Sequence, residues 1–349
     1  MGDSPDPAVI PDFPLIPASI GGWRIGEVIG RGGQGVVVRA DREAAGGQQI
    51  AALKLQPAGD PQAAERLLAE VQTATAVRDQ HLLHVIDAGR EGAWLYLASD
   101  LMAGDAGSRA TASGGRLEAP VALVMIQQAA SGVGALHAAG LAHGDLSPGN
   151  LLLDDAGKVR VGDFGLAGQA GAGASGGTPA YLAPEVARGG PRTPASDIYG
   201  LGATLYHLTT GQPPFQDEHA WAVVARVIAG ETPDPRRVRP DLSPSLRAIC
   251  LCSMARDPAA RYANVGELAE DCASVLAGEG PWRAGRLRDR WDKEPSIPTA
   301  LPEVSARGSG SGCSGSDRGS AGDGDGASTG CRLPRRQNRP RCRYTRSLA

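Results

Sequence analysis

Lysine is scarce in this chain of 349 residues, since only three of its 35 basic residues are lysine: Lys54, Lys158 and Lys293. A lysine at a position of chemical interest is therefore less expected by chance. Cysteine is also sparse, and the six cysteines form no Cys-x-x-Cys pair. This spacing indicates neither a zinc site nor a disulfide framework, so we interpret the cysteines as reduced thiols.

The sequence has no apolar run near the roughly 18 residues that a membrane-spanning helix needs. Its N-terminus lacks the basic and apolar regions of a signal peptide, and Asp6 stands where myristoylation needs Ser or Thr. The formal net charge is −3, so the chain as a whole has no excess of positive charge for nucleic acid. These absences predict a cytoplasmic protein with no membrane span and no specific nucleic-acid partner.

Composition divides the chain into five parts. Residues 1–20 are polar and rich in proline, which predicts a disordered lead-in. Short β-branched runs broken by glycine fill residues 21–101, whereas helical periodicity dominates residues 102–277. This pattern predicts an α+β fold of two lobes, with a small β-rich N-lobe containing one key helix and a larger, mainly helical C-lobe. A polar extension, 278–305, precedes 306–349, a Gly/Ser-rich linker and an Arg-rich disordered tail that could bind acidic partners.

Within the two lobes, periodicity predicts individual strands and helices. Strands are predicted over 36–40 and 50–55, and a helix over 62–78. After Gly104 the pattern changes, and a helix over 120–140 ends at glycine. The remaining helical windows are 196–210, 218–229, 243–255 and 264–277.

The segment GRGGQGVV places Gly30, Gly32 and Gly35 in G-x-G-x-x-G spacing. In a chain with 49 glycines, this spacing alone is a weak signal. A dinucleotide-binding fingerprint would continue into a helix, with an acidic residue about 20 positions further on. Here a β-branched run follows directly, so the glycines are predicted to lie at the tip of a hairpin. Backbone without side chains can approach phosphates closely there.

Lys54 ends the next predicted strand, where it could reach phosphates beneath the glycine hairpin. Glu70 falls on the apolar stripe of the predicted helix, beside Val71. A carboxylate on an apolar face is costly without a partner. A pair between Lys54 and Glu70 would account for both positions.

Two further segments carry candidate chemistry. In HGDLSPGN, Asp145 could accept the proton of an incoming hydroxyl, and Asn150 could hold a divalent cation. Thirteen residues later, VGDFGLA offers Asp163 as a second metal ligand. Each segment alone could be a turn capped by Asp or Asn. Their order after the glycine hairpin and Lys54 favours a phosphate-transferring site.

In these motifs the sequence resembles the eukaryotic-type protein kinases, particularly the bacterial Ser/Thr members, from about Trp23 to about Leu276. GTPAYLAPE (177–185) resembles the substrate-side segment of that family, and SDIYGLGATLYHLTTGQPPF (196–215) resembles the helix and loop that follow it. RDPAARY (256–262) supplies an arginine like the one that pairs with the glutamate of A-P-E. The resemblance implies the two-lobed kinase fold over residues 21–277.

The resemblance also implies roles for individual residues. Those implied to be catalytic are Asp145, Lys54, Glu70, Asn150 and Asp163. Those implied to bind ATP are Ile29, Gly30, Gly32, Gly35, Val37, Ala52, Lys54, Asp100, Met102 and Leu152. Asn150 and Asp163 would hold Mg²⁺ or Mn²⁺. On the substrate side, the implied structural residues are Thr178, Glu185, Asp197 and Arg261, with Glu185 paired to Arg261 and Asp197 bracing the catalytic loop.

Two positions depart from the family pattern, since Gly144 and Ser147 stand where Arg and Lys are usual. Without an arginine at 144, the usual clamp for a phosphorylated activation segment is missing. We therefore hypothesise that activity does not depend on phosphorylation of that segment. The missing lysine could cost up to several kcal/mol of transition-state stabilisation.

Three functions are compatible with these residues. The resemblance implies an ATP-dependent protein Ser/Thr kinase in bacterial signalling, acting on protein substrates. Loss of the lysine at 147 allows a weakly active or inactive ATP-binding scaffold. Small-molecule kinases also favour HGDL-x-P-x-N, but GTPAYLAPE and Arg261 argue against that class.

Overall fold

The computed structural model describes residues 15–32, 35–59, 64, 68, 71–73, 75–163, 168–169, 177–231 and 233–284. The strands of the smaller lobe are β1 (Ser19–Ile20), β2 (Trp23–Gly32), β3 (Gly35–Ala44), β4 (Gly47–Pro57), β5 (Val85–Glu91) and β6 (Trp94–Ser99). They form one antiparallel sheet in the order β1-β2-β3-β4-β6-β5. The strands predicted over 36–40 and 50–55 are confirmed and extended, as parts of β3 and β4.

The two faces of this sheet have different surroundings. Val38 and Leu53 are paired neighbours on one face, and both are fully buried in the lobe's core with Trp23. Val37 and Lys54 are paired neighbours on the other face, where both are only partly buried. Successive strand residues point to opposite faces, so one face builds the core and the other lines the cleft.

The helix predicted over 62–78 is helical at the described positions 64, 68, 71–73 and 75–76. Ala64 and Leu68 pack against Ala58 and Leu95. The predicted end is wrong, because residues 77 and 78 lie outside the helix. The apolar stripe extends past the last helical turn, since Val77 packs against the core of the larger lobe.

The larger lobe is built from helices α1 (Ala106–Ala112), α2 (Ala119–Ala138), α3 (Pro184–Ala187), α4 (Pro194–Thr210), α5 (Ala220–Ala229), α6 (Pro244–Ser253) and α7 (Val265–Leu276). Each predicted helical window corresponds to one of these helices. Two helices, α1 and α3, were not predicted. Helix α1 has only seven residues, AGSRATA, and its start depends on Asp105, whose carboxylate accepts from the backbone N of Ser108 at 2.8 Å.

Helix α4 shows why the predicted ends are close to the observed ones. Thr193 caps its N-terminus through a capping box with Ser196, and Pro194 follows as the first helical residue. At its C-terminus, Gly211 adopts φ of 86°, a left-handed conformation that glycine accepts without strain. These two local signals define the start and end of the helix.

Short strands frame the loops between the helices. β7 (Gly104–Asp105), β9 (Leu151–Leu153) and β10 (Val159–Val161) form a three-stranded sheet, and β8 (Leu141–Ala142) pairs with β11 (Gly168–Gln169). β10 also holds the segment after the N-lobe helix, because Leu83 N donates to Val161 O at 2.8 Å and Val161 N donates to His81 O at 2.8 Å. This pairing joins the two lobes behind the cleft.

Helix α2 is the one described helix long and apolar enough to cross a membrane by length and composition. Half of its most apolar window is buried, and Leu123, Ile126 and Val133 lie in the core of the larger lobe. A buried core helix meets the same length and composition criteria, so this finding is weak support for a membrane span.

Candidate active site

The loop of residues 143–150 connects β8 to β9 and ends in a 3-10 turn, Pro148–Asn150. The amide Nδ2 of Asn150 donates to the backbone O of Asp145 at 2.6 Å and lies 3.4 Å from its carboxylate Oδ2. The loop therefore brings the two predicted catalytic residues together. Because Nδ2 is used in this way, the amide oxygen is the side-chain atom that Asn150 can offer to a cation.

Asp197 braces this loop from helix α4. Its carboxylate is almost fully buried and accepts from the backbone N of His143 and of Gly144, each at 2.8 Å. The ring Nε2 of His137 lies 2.8 Å from Oδ2 of the same carboxylate. A buried carboxylate needs such partners to offset its desolvation. These contacts place Asp197 where it was predicted to brace the loop, whereas no part in the site was predicted for His137.

His143 connects the loop to the end of β10. Its ring Nε2 lies 2.9 Å from the backbone O of Gly162, and the backbone N of Asp145 donates to Nδ1 at 3.3 Å. A carbonyl accepts and an amide donates, so these contacts assign the proton of a neutral ring to Nε2. His143 is fully buried and therefore positions its neighbours.

Lys54 and Asp163 meet across the cleft. The Nζ of Lys54 lies 2.5 Å from Oδ1 of Asp163, and the two side chains are 21% and 29% exposed. Asp163 has φ of 65°, the left-handed region that few residues other than glycine adopt. The carboxylate predicted to pair with Lys54, Glu70, lies outside the described residues, so that pairing stays a prediction.

Asn150 and Asp163 are neighbours through the backbone. The N of Gly162 donates to the O of Asn150 at 3.0 Å, and Asp163 is the next residue. The side chains on offer are a carboxylate and an amide oxygen, which are hard donors suited to Mg²⁺ or Mn²⁺. The donor chemistry at this position therefore fits a divalent cation.

The predicted nucleotide-contacting residues lie on the cleft side of both lobes. β2 and β3 stay paired up to Gly32 and Gly35, so the glycines form a hairpin tip as predicted. Val37 and Ala52 are on the cleft face of the sheet, and Leu152 is partly buried in β9 below them. Gly30 is paired with Val37, and Ile29 next to it is 46% exposed.

The segment that joins the lobes contains the predicted Asp100 and Met102. The backbone N of Asp100 already donates to the O of His84 at 3.1 Å, so this amide does not serve a nucleotide. Ala103 N donates to Leu153 O at 2.8 Å, and Met102 packs partly buried on the larger lobe's core. Ser99, the last residue of β6, is 7% exposed.

Thr178 lies against the predicted catalytic carboxylate. Its backbone N and its hydroxyl both donate to Oδ1 of Asp145, at 2.9 Å and 3.0 Å. The substrate-side segment and the catalytic loop are therefore joined at Asp145.

Glu185 and Arg261 form a bidentate ion pair, as the sequence predicts. Both guanidinium nitrogens lie 2.7 Å from the two carboxylate oxygens, and the arginine also donates to the backbone O of Ala255 and of Ala195, each at 2.8 Å. The guanidinium carbon lies 5.1 Å from the ring centre of Tyr199. The Arg261 side chain is fully buried. This pair fixes α3 to α4 and to the segment before α7.

An Arg261→Met variant is expected to lose about 3 kcal/mol of unfolding free energy, because removing one partner of a buried ion pair leaves the other uncompensated. Urea denaturation, monitored by circular dichroism, measures the loss. Arg24→Met is the matched control: it breaks an ion pair with Asp41 whose arginine side chain is 72% exposed, so its midpoint should hardly move. Equal midpoints for both variants would contradict a structural role for the buried pair.

Tyr181, in the substrate-side segment, contacts His207 of α4. The tyrosine hydroxyl lies 2.5 Å from ring Nδ1 of the histidine, and the two rings are stacked with centres 6.1 Å apart. Burial lowers the pKa of His207 and raises that of Tyr181. The folded state therefore favours the neutral form of both side chains.

This pKa shift makes stability depend on pH. The unfolded chain protonates His207 near pH 6.5, whereas the folded chain does so only at lower pH, so the unfolded state binds more protons in between. Acidification from about pH 6.5 should therefore lower the free energy of unfolding until the lowered folded pKa is passed. Urea titrations across this range should show a smaller loss for His207→Asn than for the unmodified protein. Identical pH profiles would exclude His207 as the titrating group.

Besides His137, sequence reasoning missed an arginine of this region. Arg192, in the loop before α4, is 8% exposed, and its Nε donates to the backbone O of Gly144 at 3.3 Å. The segment GGPRTP offers no local signal for this contact, because the two residues are 48 positions apart. An arginine directly before a helix cap is ordinary in sequence; only the fold places it against the catalytic loop.

Comparison with known proteins adds a family assignment. A family model described as "Protein kinase domain" matches residues 23–273. Serine/threonine-protein kinase PknA of Mycobacterium tuberculosis is 34% identical over 275 residues, covering 75% of this chain and 63% of PknA. PrkC of Bacillus subtilis is 32% identical over 295 residues (81% and 44%), and PknL of Mycobacterium tuberculosis is 30% identical over 248 residues (69% and 61%). The chain thus spans less than two thirds of the length of each of these bacterial relatives.

Proposed function

The chain belongs to the protein kinase family, and we propose that it is a serine/threonine protein kinase that transfers the γ-phosphate of ATP to protein hydroxyls. One observation carries this proposal: the predicted catalytic residues form a connected series across the cleft. Lys54 contacts Asp163, Gly162 next to it donates to Asn150, and Asn150 donates to Asp145. The series runs from a cation for phosphate to a carboxylate for the substrate hydroxyl.

Kinases of this family use ATP with a divalent cation. We propose that the hairpin tip covers the phosphates and that Lys54 binds the α- and β-phosphates. Gly35 packs closely against β4, because a Cβ there would lie 2.1 Å from the backbone O of Leu55. The position therefore has no room for a side chain. Val37, Ala52 and Leu152 would enclose the adenine from both lobes.

We propose that Asp163 and Asn150 hold Mg²⁺, or Mn²⁺ in its place. When bound, the ion neutralises negative charge on the phosphate that is transferred. The protein's part is to keep the two oxygen donors adjacent. The Gly162 to Asn150 hydrogen bond does so through the backbone, and the left-handed backbone of Asp163 turns its carboxylate toward Lys54.

Asp145 is proposed to orient the substrate hydroxyl and to accept its proton. Its Oδ1 already accepts a hydrogen bond from an aliphatic hydroxyl, that of Thr178, at 3.0 Å. A general base must lie within this reach of the proton it takes. With little covalent chemistry for the protein to perform, the rate depends on positioning and on charge neutralisation.

The substrate side favours a protein acceptor. Thr178 connects the segment 177–185 to the catalytic carboxylate, and the buried pair of Glu185 and Arg261 anchors the far end of that segment. Such an anchored platform beside the carboxylate suits an extended polypeptide better than a small molecule. PknA and PrkC are serine/threonine-protein kinases of bacteria, which supports Ser or Thr as the acceptor and a bacterial setting.

The same proposal includes the bounds of the kinase domain and the cellular compartment in which it acts. We place the kinase domain at residues 21–277 and propose that it acts in signalling, in the cytoplasm, where ATP is available. The three described cysteines, Cys250, Cys252 and Cys272, are unpaired and buried, in keeping with a reducing compartment. An acidic partner for the Arg-rich tail remains a sequence-based proposal.

The test is incubation of purified protein with labelled ATP and Mg²⁺, alone and with a generic basic acceptor protein, beside an Asp145→Asn control. Phosphate on Ser or Thr, present with the unmodified protein and absent with the control, is the expected result. Repeating the assay with Mn²⁺ or with chelator identifies the metal requirement. Nucleotide binding without any transfer would instead identify an ATP-binding scaffold in which Ser147 has replaced a needed lysine.

A further inference from the structure

Arg192 reaches the catalytic loop from outside the set of residues assigned above. It lies in the loop just before helix α4, and its side chain is buried against the 143–150 loop. Its Nε donates to the backbone O of Gly144 at 3.3 Å. A buried guanidinium carries a large desolvation cost unless it is hydrogen-bonded, so this placement needs polar partners such as that carbonyl.

The peptide that receives this bond is the one that enters Asp145. The peptide joins Gly144 to Asp145: its carbonyl accepts from Arg192, and its N–H donates to Nδ1 of His143 at 3.3 Å. Both polar groups of this peptide are therefore held by buried side chains. Because this peptide leads into Asp145, the orientation of the peptide plane sets the direction of the catalytic carboxylate.

Gly144 makes such restraint necessary. It has φ of 81°, and as a glycine it has no side chain to hold its own position. Glycine reaches conformations on both sides of the Ramachandran map at little cost, so this peptide would turn easily if unrestrained. The carboxylate of Asp197 restrains Gly144 from the N-terminal side, because it accepts a hydrogen bond from the N–H of Gly144 at 2.8 Å.

The two restraining residues share one rigid support. Asp197 lies in the first turn of α4, and Arg192 precedes the helix by two residues. Between them, Thr193 and Ser196 form the capping box that fixes the chain's entry into the helix. The start of α4 therefore presents a carboxylate to the N–H of Gly144 and a guanidinium to its carbonyl.

We propose that Arg192 is a positioning residue for phosphoryl transfer, which holds the Gly144–Asp145 peptide and thereby the direction of the Asp145 carboxylate. The proposal rests on the function proposed above. It assigns Arg192 no contact with substrate or nucleotide. A misplacement of about 1 Å in a catalytic group can cost on the order of 100-fold in rate, so a single lost restraint on this peptide has a measurable effect.

Two substitutions isolate this hydrogen bond. In Arg192→Gln, the amide nitrogen stands at the same distance along the side chain as Nε of arginine, so a donor remains for Gly144. In Arg192→Met, a methyl group takes that place. Both variants lose the positive charge and every other guanidinium contact, so the difference between them reports the bond to Gly144 alone.

The kinetic expectation is a difference in kcat without a difference in nucleotide binding. Arg192→Met should have a kcat about tenfold lower than Arg192→Gln, with KM for ATP in both within about twofold of the unmodified protein. Arg188→Met is the control for an arginine in the same region, because Arg188 donates to the backbone O of Ile228, away from the catalytic loop. Its kcat should equal that of the unmodified protein.

Hydrogen exchange, followed by mass spectrometry on the peptide covering 141–150, provides a readout that needs no activity. This peptide should exchange several-fold faster in Arg192→Met than in Arg192→Gln, at a temperature where circular dichroism shows both proteins folded. Equal kcat and equal exchange in these two variants would overturn the proposal. If the unmodified protein transfers no phosphate, the proposed function fails, while the exchange comparison still decides whether Arg192 positions the loop.

Discussion

Replacing Asp163 by Asn should lower kcat for phosphoryl transfer by at least about 1,000-fold while leaving the fold intact. A factor of this size corresponds to about 4 kcal/mol of transition-state stabilisation. The reason is electrostatic: the variant keeps the size of the side chain and removes the charge that faces Lys54 at 2.5 Å and is proposed to hold the divalent cation. Without this carboxylate the site would hold its cation poorly, and loss of a preorganised cation where negative charge develops is among the largest single effects in catalysis.

Asparagine is the right replacement because of the backbone at this position. With φ of 65°, residue 163 is the one described non-glycine residue in the left-handed region. Asn tolerates that region as well as Asp does, whereas Ala or a β-branched residue would add strain and confuse a catalytic effect with a folding defect. The thermal midpoint of Asp163→Asn should therefore stay close to that of the unmodified protein.

The matched control is Asp154→Asn, in the turn between β9 and β10. Asp154 is likewise a partly exposed, hydrogen-bonded carboxylate, which accepts from the backbone N of Ala156 at 3.0 Å and of Lys158 at 2.9 Å, but it is no part of the proposed site. Steady-state rates with saturating ATP and Mg²⁺ should be unchanged in this control. A rate for Asp163→Asn within tenfold of the unmodified protein would show that this carboxylate does not hold the metal.

The sequence predicted the main elements because their signals are local. Helix α4 begins at a capping threonine followed by proline and ends at a left-handed glycine. Each of these signals depends only on residues next to one another in the sequence. The hairpin of β2 and β3 follows from glycines flanked by β-branched residues. By contrast, α1 has only seven residues, depends on one Asp cap and lies between glycines, so its pattern resembles a loop.

The structure brings several of the predicted site residues together, but only some of their contacts were predicted. Motif order identified Lys54, Asp145, Asn150 and Asp163, because each has a residue type suited to its proposed chemistry. The observed partner of Lys54 is Asp163, 109 positions away. No periodicity in the sequence can predict a contact between residues so far apart. The same holds for Arg192, which donates to Gly144 of the loop, and for His137, which contacts the carboxylate of Asp197 that braces the loop.

Asp145→Asn should lower kcat by about 1,000-fold with little change in nucleotide affinity, because the carboxylate is proposed to act on the substrate hydroxyl and not on ATP. An amide cannot take up the hydroxyl proton. Its oxygen can still accept from the N and the hydroxyl of Thr178 as Oδ1 does now, and only the long 3.4 Å contact between Oδ2 and Nδ2 of Asn150 is lost. The expected pattern is thus a loss confined to kcat, with a nearly unchanged dissociation constant for ATP.

Substitutions at Thr178 test the orientation of the Asp145 carboxylate without removing the carboxylate itself. Thr178→Ser keeps the hydroxyl that donates to Oδ1 of Asp145 at 3.0 Å, and Thr178→Val removes it while keeping the side chain's shape. If Asp145 acts as proposed, Thr178→Ser should stay within a few-fold of the unmodified rate, and Thr178→Val should lose on the order of tenfold, the cost of one hydrogen bond to a charged group. Asp145→Asn should then be insensitive to a further Thr178→Val change, because a carboxylate that no longer works as a base gains little from being oriented. Additive losses in the double variant would mean that Thr178 acts on the substrate directly and that Asp145 is not the group it serves.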